Sequence, residues 1–273
     1  MIVLSIPQST FEELVPAFRD CESQIYESIA EYMANVEQTV YDELSISPVR
    51  DAADVDSYSD YFIPYICKRT AYEALPHLDL VLTANGFAVV GNQNFTPASR
   101  QRVYDLRERL RREKSDARDA LLRALLFSDW WSEQQMRIKL SSLLWCPTLL
   151  RKYGVRTRDG NPIYEEELQF VQADLNAAQH LAEMMVGEEQ MSELLQVQHL
   201  EDDSAESMLV ERCRRLMASY LKGADLRLAK HEVQDFLNRN ADSLPTYKAS
   251  SKYEADHFKP YENRKNDSTF FFG

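Results

Sequence analysis

Glycine is scarce in this chain, with 7 residues among 273. Antiparallel β architectures draw on glycine for the positive φ angles of tight turns, so an all-β fold is disfavoured. Cysteine is sparse too. Cys21, Cys67, Cys146 and Cys213 lie far apart and form no CxxC pair. They are expected to be reduced, buried thiols in a cytosol-like compartment rather than a disulfide framework. No run approaches the ~20 apolar residues of a membrane-spanning helix. The opening MIVLSIP has no basic n-region and too short an apolar stretch, so no secretory signal is expected. A basic excess is absent as well: the net charge is -13 and the pI about 4.9. Such a surface repels nucleic-acid phosphate and anionic membranes. It serves solubility, or it keeps the protein from sticking to DNA.

Catalytic signatures are missing. The chain carries no GxxxxGKS/T, GxGxxG, HExxH or GxSxG pattern, so phosphate-cradling, zinc-protease and nucleophile-elbow chemistry have no sequence support. His180 and Glu183 lie one helical turn apart, but His77, His199, His231 and His257 supply no second pair. A carboxylate di-metal bundle needs repeated Glu-x-x-His. Glu201-Asp202-Asp203 lacks the glycine and terminal glutamate of a calcium loop. The expectation is a protein without catalytic residues, cofactor or metal.

What is present favours helix. Leu, Ala, Glu, Gln and Arg abound, and these are strong helix formers. PQSTFEEL reads as a capping box, with Ser9 or Thr10 as cap and Glu12 or Glu13 three residues on. A helix to about Leu44 follows, with Ile25, Ile29, Met33, Val36 and Val40 at steps of three and four. Pro16 suggests two helices in series. A second helix covers about 58–75 and stops before Pro76.

LDLVLTANGFAVVGNQ breaks this pattern. Asn85-Gly86 between apolar runs is a hairpin signal within residues 78–95. Leu80, Leu82, Ala84, Phe87 and Val89 would share one side. Val81, Thr83, Ala88 and Val90 would share the other. Both sides are apolar or small, so either this chain packs both or a neighbour covers one. Thr96 and Pro97 then suit the N-cap and first turn of a third, charged helix. Asp105 with Arg109 and Glu108 with Arg112 are i,i+4 pairs on it. Its basic residues are interleaved with acids, which points to a solvated face rather than a nucleic-acid surface.

Residues 129–161 read as a linker region that turns apolar, with Trp130, Trp131 and Trp145 as core or interface anchors. Helices are expected over about 162–186, after a break at Gly187, and over about 204–221 and 225–240. From Pro245 the chain is polar with isolated aromatics, Tyr247, Tyr253, Phe258 and Tyr261, and ends in Phe270-Phe271-Phe272-Gly273. Residues 245–273 are expected as an extended C-terminal arm. Three consecutive phenylalanines gain roughly 1.5–3 kcal/mol each on burial. The arm reads as a hook that orders on a partner, or as a segment that folds back on its own body.

Two stretches resemble each other in order. IAEYMANVEQTVYDEL (29–44) resembles LAEMMVGEEQMSELL (181–195). ICKRTAYEAL (66–75) compares with RCRRLMASYL (212–221), and RVYDLRERL (102–110) with EVQDFLNRN (232–240). Cys67 to Val103 spans 36 residues and Cys213 to Val233 spans 20. A duplication whose second copy lacks the hairpin accounts for the difference; chance similarity between helical sequences is the competing account.

The residues YICKRTAYEALPHLDLVLTANGFAVVGNQNFTPASRQRVYDLRERL resemble an uncharacterised family encoded by tailed phages and prophages of gut Bacteroides-type bacteria. Leu75-Pro76, Gly86-Phe87, Asn92, Asn94 and Pro97-Ala98-Ser99 carry the likeness. Each half is also similar to the small helical head–tail connector proteins of tailed phages. That resemblance implies a ring beneath the portal, tails or loops docked on neighbouring rings, and no catalytic site.

The expectation is therefore a mainly α protein. A helical half with a β-hairpin insertion would cover 1–128, the linker region 129–161, a related helical-bundle half 162–244, and the arm 245–273. Its function would be that of a structural virion protein, a ring-forming connector joining portal to tail. It would assemble in the bacterial host cytoplasm, with DNA passing nearby unbound and no membrane contact. Candidate protein-contact residues are Leu82, Phe87, Val89, Val90, Trp130, Trp131, Phe258, Tyr261, Phe270, Phe271 and Phe272. A cellular helical interaction module without a virion role is the alternative, and an enzyme with an unrecognised carboxylate site a weaker third.

Overall fold

The computed structural model describes residues 4–19, 23–47, 51–78, 81–83, 86–88, 100–126, 128, 142–198 and 202–258. The described chain is mainly α-helical. It forms two compact units. The first comprises Met1–Lys139, Cys146–Thr148 and Tyr164–Glu166; the second comprises Leu140–Trp145, Leu149–Ile163 and Glu167–Gly273.

The first unit holds α1 (Gln8–Leu14), α2 (Ser23–Leu44), α3 (Ala52–Ser57), α4 (Ser59–Leu78) and α5 (Arg100–Leu126). The capping box does not form. Pro7 occupies the cap position with no side-chain bond, and Ser9 and Thr10 lie inside α1. The helix ends at Val15, and Pro16–Phe18 makes a 3₁₀ turn. The periodic positions of α2 behave as their spacing requires: Ile29, Met33, Val36 and Val40 are all buried. Tyr41 and Phe62 pack edge to face behind them, with ring centres 6.0 Å apart.

Helix α4 runs through Pro64 and Pro76 to Leu78 instead of stopping before Pro76. Pro76 lies in the last turn, where it forfeits one backbone bond only. Burial of Ala74 and Leu75 just before it holds the turn in place.

Beyond α4, β1 (Val81–Thr83) and β2 (Gly86–Ala88) pair antiparallel over three positions, Val81 with Ala88, Leu82 with Phe87 and Thr83 with Gly86. Leu82, expected opposite Val89, thus pairs with Phe87, a register shift of two positions that moves the expected turn by one. Leu78, expected to open the hairpin, belongs to α4. The described residues give no support to a hairpin insertion running over 78–95.

A network of charged side chains ties the chain segment at 164–166 to α5. The Lys114 ammonium is almost fully buried, lies 2.7 Å from a Glu166 carboxylate oxygen and sits over the Tyr72 ring. Arg118 is 2.9 Å from Glu165, and Arg111 stacks on the Tyr164 ring. On the outer side Arg69 grips both Glu43 oxygens, at 2.7 and 2.9 Å, joining α4 to α2.

The second unit is built from α7 (Leu168–Val186), α8 (Glu188–Val197), α9 (Ala205–Leu221), α10 (Arg227–Asn240), α11 (Pro245–Lys248) and α12 (Ser251–Asp256). The short α6 (Pro147–Lys152) begins in the first unit and ends in the second. Gly187 separates α7 from α8 at φ +92°, a left-handed conformation that favours glycine. Leu175, Ala178, Ala182, Leu209, Cys213, Leu216, Val233 and Leu237 make the core.

Two buried glutamines bring distant backbone into that core. Gln179 accepts from the Leu143 amide at 2.9 Å and donates to the Met191 sulfur. Gln190 accepts from the Tyr247 amide at 2.8 Å. Residues 245–256 are consequently helical and packed, not an extended arm. Pro245 starts α11, Ser250 caps α12, and Tyr247 is fully buried. Residues 259–273 lie outside the described residues.

Candidate interaction surfaces

Helices α9 and α10 are joined by a short turn and leave a groove of about 510 Å³ along their outer side. Glu211, Arg212 and Arg215 come from α9; Glu232, Asp235, Phe236 and Arg239 come from α10. The helical period places them together. Residues 211, 212 and 215, like 232, 235, 236 and 239, recur at steps of one, three and four along one face.

The Arg212 guanidinium lies 4.1 Å from the Phe236 ring centre, a stacked cation over an aromatic face. Arg239 lies 3.0 Å from Asp235 and Arg215 3.3 Å from Glu211. Glu211 also accepts from the Tyr153 hydroxyl and sits 3.9 Å from the Lys152 ammonium. Burial alone would raise the Glu211 carboxyl, but the Tyr153 hydroxyl, Lys152 and Arg215 outweigh it and hold it below the usual carboxylate range. Tyr153 moves the other way: burial, then its bond to the Glu211 carboxylate, pushes its hydroxyl up. The groove offers charge of both signs and one aromatic face. That is the chemistry of a polar protein contact, in which rim charges set orientation.

Large apolar side chains stand in solvent elsewhere on this unit. Phe170 is 75 % exposed, Met184 62 %, Leu228 69 % and Phe258 75 %. The buried thiols carry no comparable signal. Burial pushes Cys67 and Cys213 each up to about 12, which disfavours the reactive thiolate. Among the described residues no cluster of three or more His, Cys, Asp and Glu could hold a metal ion.

Of the residues singled out from sequence, Phe258 is described and exposed. Leu82 and Phe87 are backbone partners in the β1–β2 ladder. Val89, Val90, Trp130, Trp131, Tyr261, Phe270, Phe271 and Phe272 lie outside the described residues. Sequence reasoning missed Phe170, Met184 and the α9–α10 groove. Helical periodicity was visible around all of them, but which face is covered depends on the packing of other helices.

Residues 23–136 and 185–257 match the model of DUF6712, described as a family of unknown function. The chain belongs to this family. Comparison with curated proteins and with solved structures gives no match. The DUF6712 match takes in α2 to α5, and then α8 to α12 with the groove. Residues 137–184, which hold α6 and nearly all of α7, fall between the matched segments.

Proposed function

We propose that this DUF6712 protein is a structural adaptor that acts through protein contacts, and that it serves as a ring-forming head–tail connector of a tailed phage. The observation that carries the contact role is the set of large apolar side chains left in solvent on an acidic chain, Phe170, Met184 and Leu228 on helices and Phe258 just beyond α12. Exposed apolar area of this kind gains free energy only when a partner covers it. The connector assignment itself is supported by the resemblance of the 65–110 stretch and of each half. In this reading the two units are related helical bundles. The segment around β1 and β2 and the tryptophan-bearing stretch after α5 contact neighbouring subunits. The C-terminal residues up to Gly273 dock on portal or tail proteins. The acidic surface lets DNA pass without binding, and the protein resides in the virion.

Mass measurement and negative-stain imaging test this, on the purified chain alone and with the portal protein of the same phage. A ring, formed alone or on the portal, is the expected result. A compact monomer that stays monomeric with portal present overturns it. Removal of residues 262–273 is expected to leave the body folded and to abolish docking on the portal assembly; unchanged docking removes the hook from the reading.

A further inference from the structure

Phe170, Ala173, Ala177, His180 and Met184 recur at steps of three and four along α7, and all five are exposed. At about 100° per residue they form one stripe. It lies directly opposite the face that Leu175, Ala178, Gln179, Ala182 and Val186 bury in the second unit. An amphipathic helix normally turns charge outward. Here the outward stripe contains no carboxylate, lysine or arginine, in a chain of net charge -13. On one flank Gln169, Gln172 and Asn176 are neutral amides beside Glu183, and Asp174 borders the other.

We propose that this stripe seats the same helix of a second copy of the chain, antiparallel, with the two helices crossing at Ala177. The sizes of the side chains carry the choice of occupant. Phe170 and Met184 each lie seven residues from Ala177, about 10.5 Å along the axis at 1.5 Å per residue. A two-fold axis at Ala177 therefore sets Phe170 against the second copy's Met184, a favourable thioether–aromatic contact, at both ends. It sets Ala173 near the second copy's His180, about 6 and 4.5 Å from the crossing point, so a small side chain meets a larger one. Alanine meets alanine where the backbones come nearest. The lack of acids on the stripe avoids the like-charge repulsion that acidic faces of two such chains would meet.

One 19-residue helix offers less than the ~1,200 Å² typical of stable interfaces, so the pairing is concentration-dependent. It closes at two copies and is independent of the connector reading. The stripe also falls outside the segments matched by the family model.

Sedimentation of the full free chain from about 5 to 200 µM reads the pairing, with Phe170→Glu and Met184→Glu as variants. Because both residues are exposed, the variants are expected to keep the wild-type unfolding midpoint. The wild type is expected to dimerise, and each variant to raise the dissociation constant about tenfold or more. Ala177→Cys in a Cys21→Ser background is expected to form a disulfide-linked dimer under mild oxidation, whereas an exposed control on another helix, His231→Cys, stays monomeric. A wild-type monomer throughout that range overturns the proposal. So does a dimer indifferent to both glutamates, which would place the contact elsewhere, and so does crosslinking at Ala177→Cys no greater than at the control. A chain that pairs through α7 yet never forms a ring on the portal would leave this inference standing and remove the connector reading.

Discussion

The amide and the hydroxyl of Thr148 both donate to a single oxygen of Asp119, at 2.8 and 2.5 Å. Asp119 is nearly fully buried on α5, and Thr148 sits in the first turn of α6, 29 residues away. The carboxylate does for α6 what a local N-cap residue would do. It satisfies an orphan amide of the first turn and adds negative charge at the positive end of the helix.

Replacing Asp119 with alanine removes that acceptor from a buried site. A loss of about 1–3 kcal/mol is expected, read from urea unfolding of the full chain. Thr148→Val, which deletes the hydroxyl donor and keeps the amide, is expected to cost less. Equal unfolding midpoints for wild type and Asp119→Ala would contradict the capping role.

Acidification should weaken the first unit through Glu166. Burial raises its carboxyl, but the Lys114 hydrogen bond, with Lys114 and Arg111 charge, wins and holds it below the usual value. A carboxyl depressed on folding stabilises the native state above its unfolded value of about 4.3. That contribution is lost as pH falls through the lower, folded value. Urea midpoints of Glu166→Gln measured between about pH 3 and pH 7 should therefore fall less steeply with acid than those of wild type. Parallel curves would mean that the pair contributes nothing to stability.

The region after Pro245 should behave as two parts. Tyr247 is fully buried, and its ring meets Tyr253 edge on at 5.5 Å. Tyr247→Ala is expected to cost about 3–5 kcal/mol, the range for large aromatic truncations in cores. Phe258→Ala, on an exposed side chain, should leave the unfolding midpoint unchanged. A small effect at Tyr247 would mean that α11 and α12 are not part of the cooperative unit.

Gly187 offers a backbone test. At φ +92° a side chain is strained, and a Cβ there would come within 3.0 Å of the Lys252 Cβ on α12. Gly187→Ala is expected to destabilise by roughly 1–3 kcal/mol. Thermal unfolding checks the direction, and an unchanged or raised midpoint would show that the α7–α8 junction relaxes freely.

Local chemistry was legible where the chain decides by itself. The steps of Ile29, Met33, Val36 and Val40 named the buried face of α2 before any packing was known. Gly187 and Pro16 marked true breaks. Where packing or a neighbour outside the motif decided, the local signal misled. Ser9 and Thr10 had the cap chemistry, yet Pro7 took the cap position. Pro76 should have stopped α4, but burial of Ala74 and Leu75 carried the helix two residues beyond it. The polar composition after Pro245 suggested an arm, and a hydrogen bond from the Tyr247 amide to Gln190, 57 residues away, helped fold its first part into the second unit.

The sequence alone determined a mainly helical, acidic chain without a recognisable catalytic pattern, because helix propensity and apolar spacing are properties of near neighbours. Only the tertiary structure decided which faces remained open. Phe170 and Met184 are apolar like Leu175 and Val186, which the same helix buries. They stand in solvent because the opposite side of α7 is the one that packs in the second unit. Arg212 and Phe236 meet only because α9 and α10 lie side by side. Such surfaces depend on contacts between residues far apart in the chain, and no local window of sequence contains them.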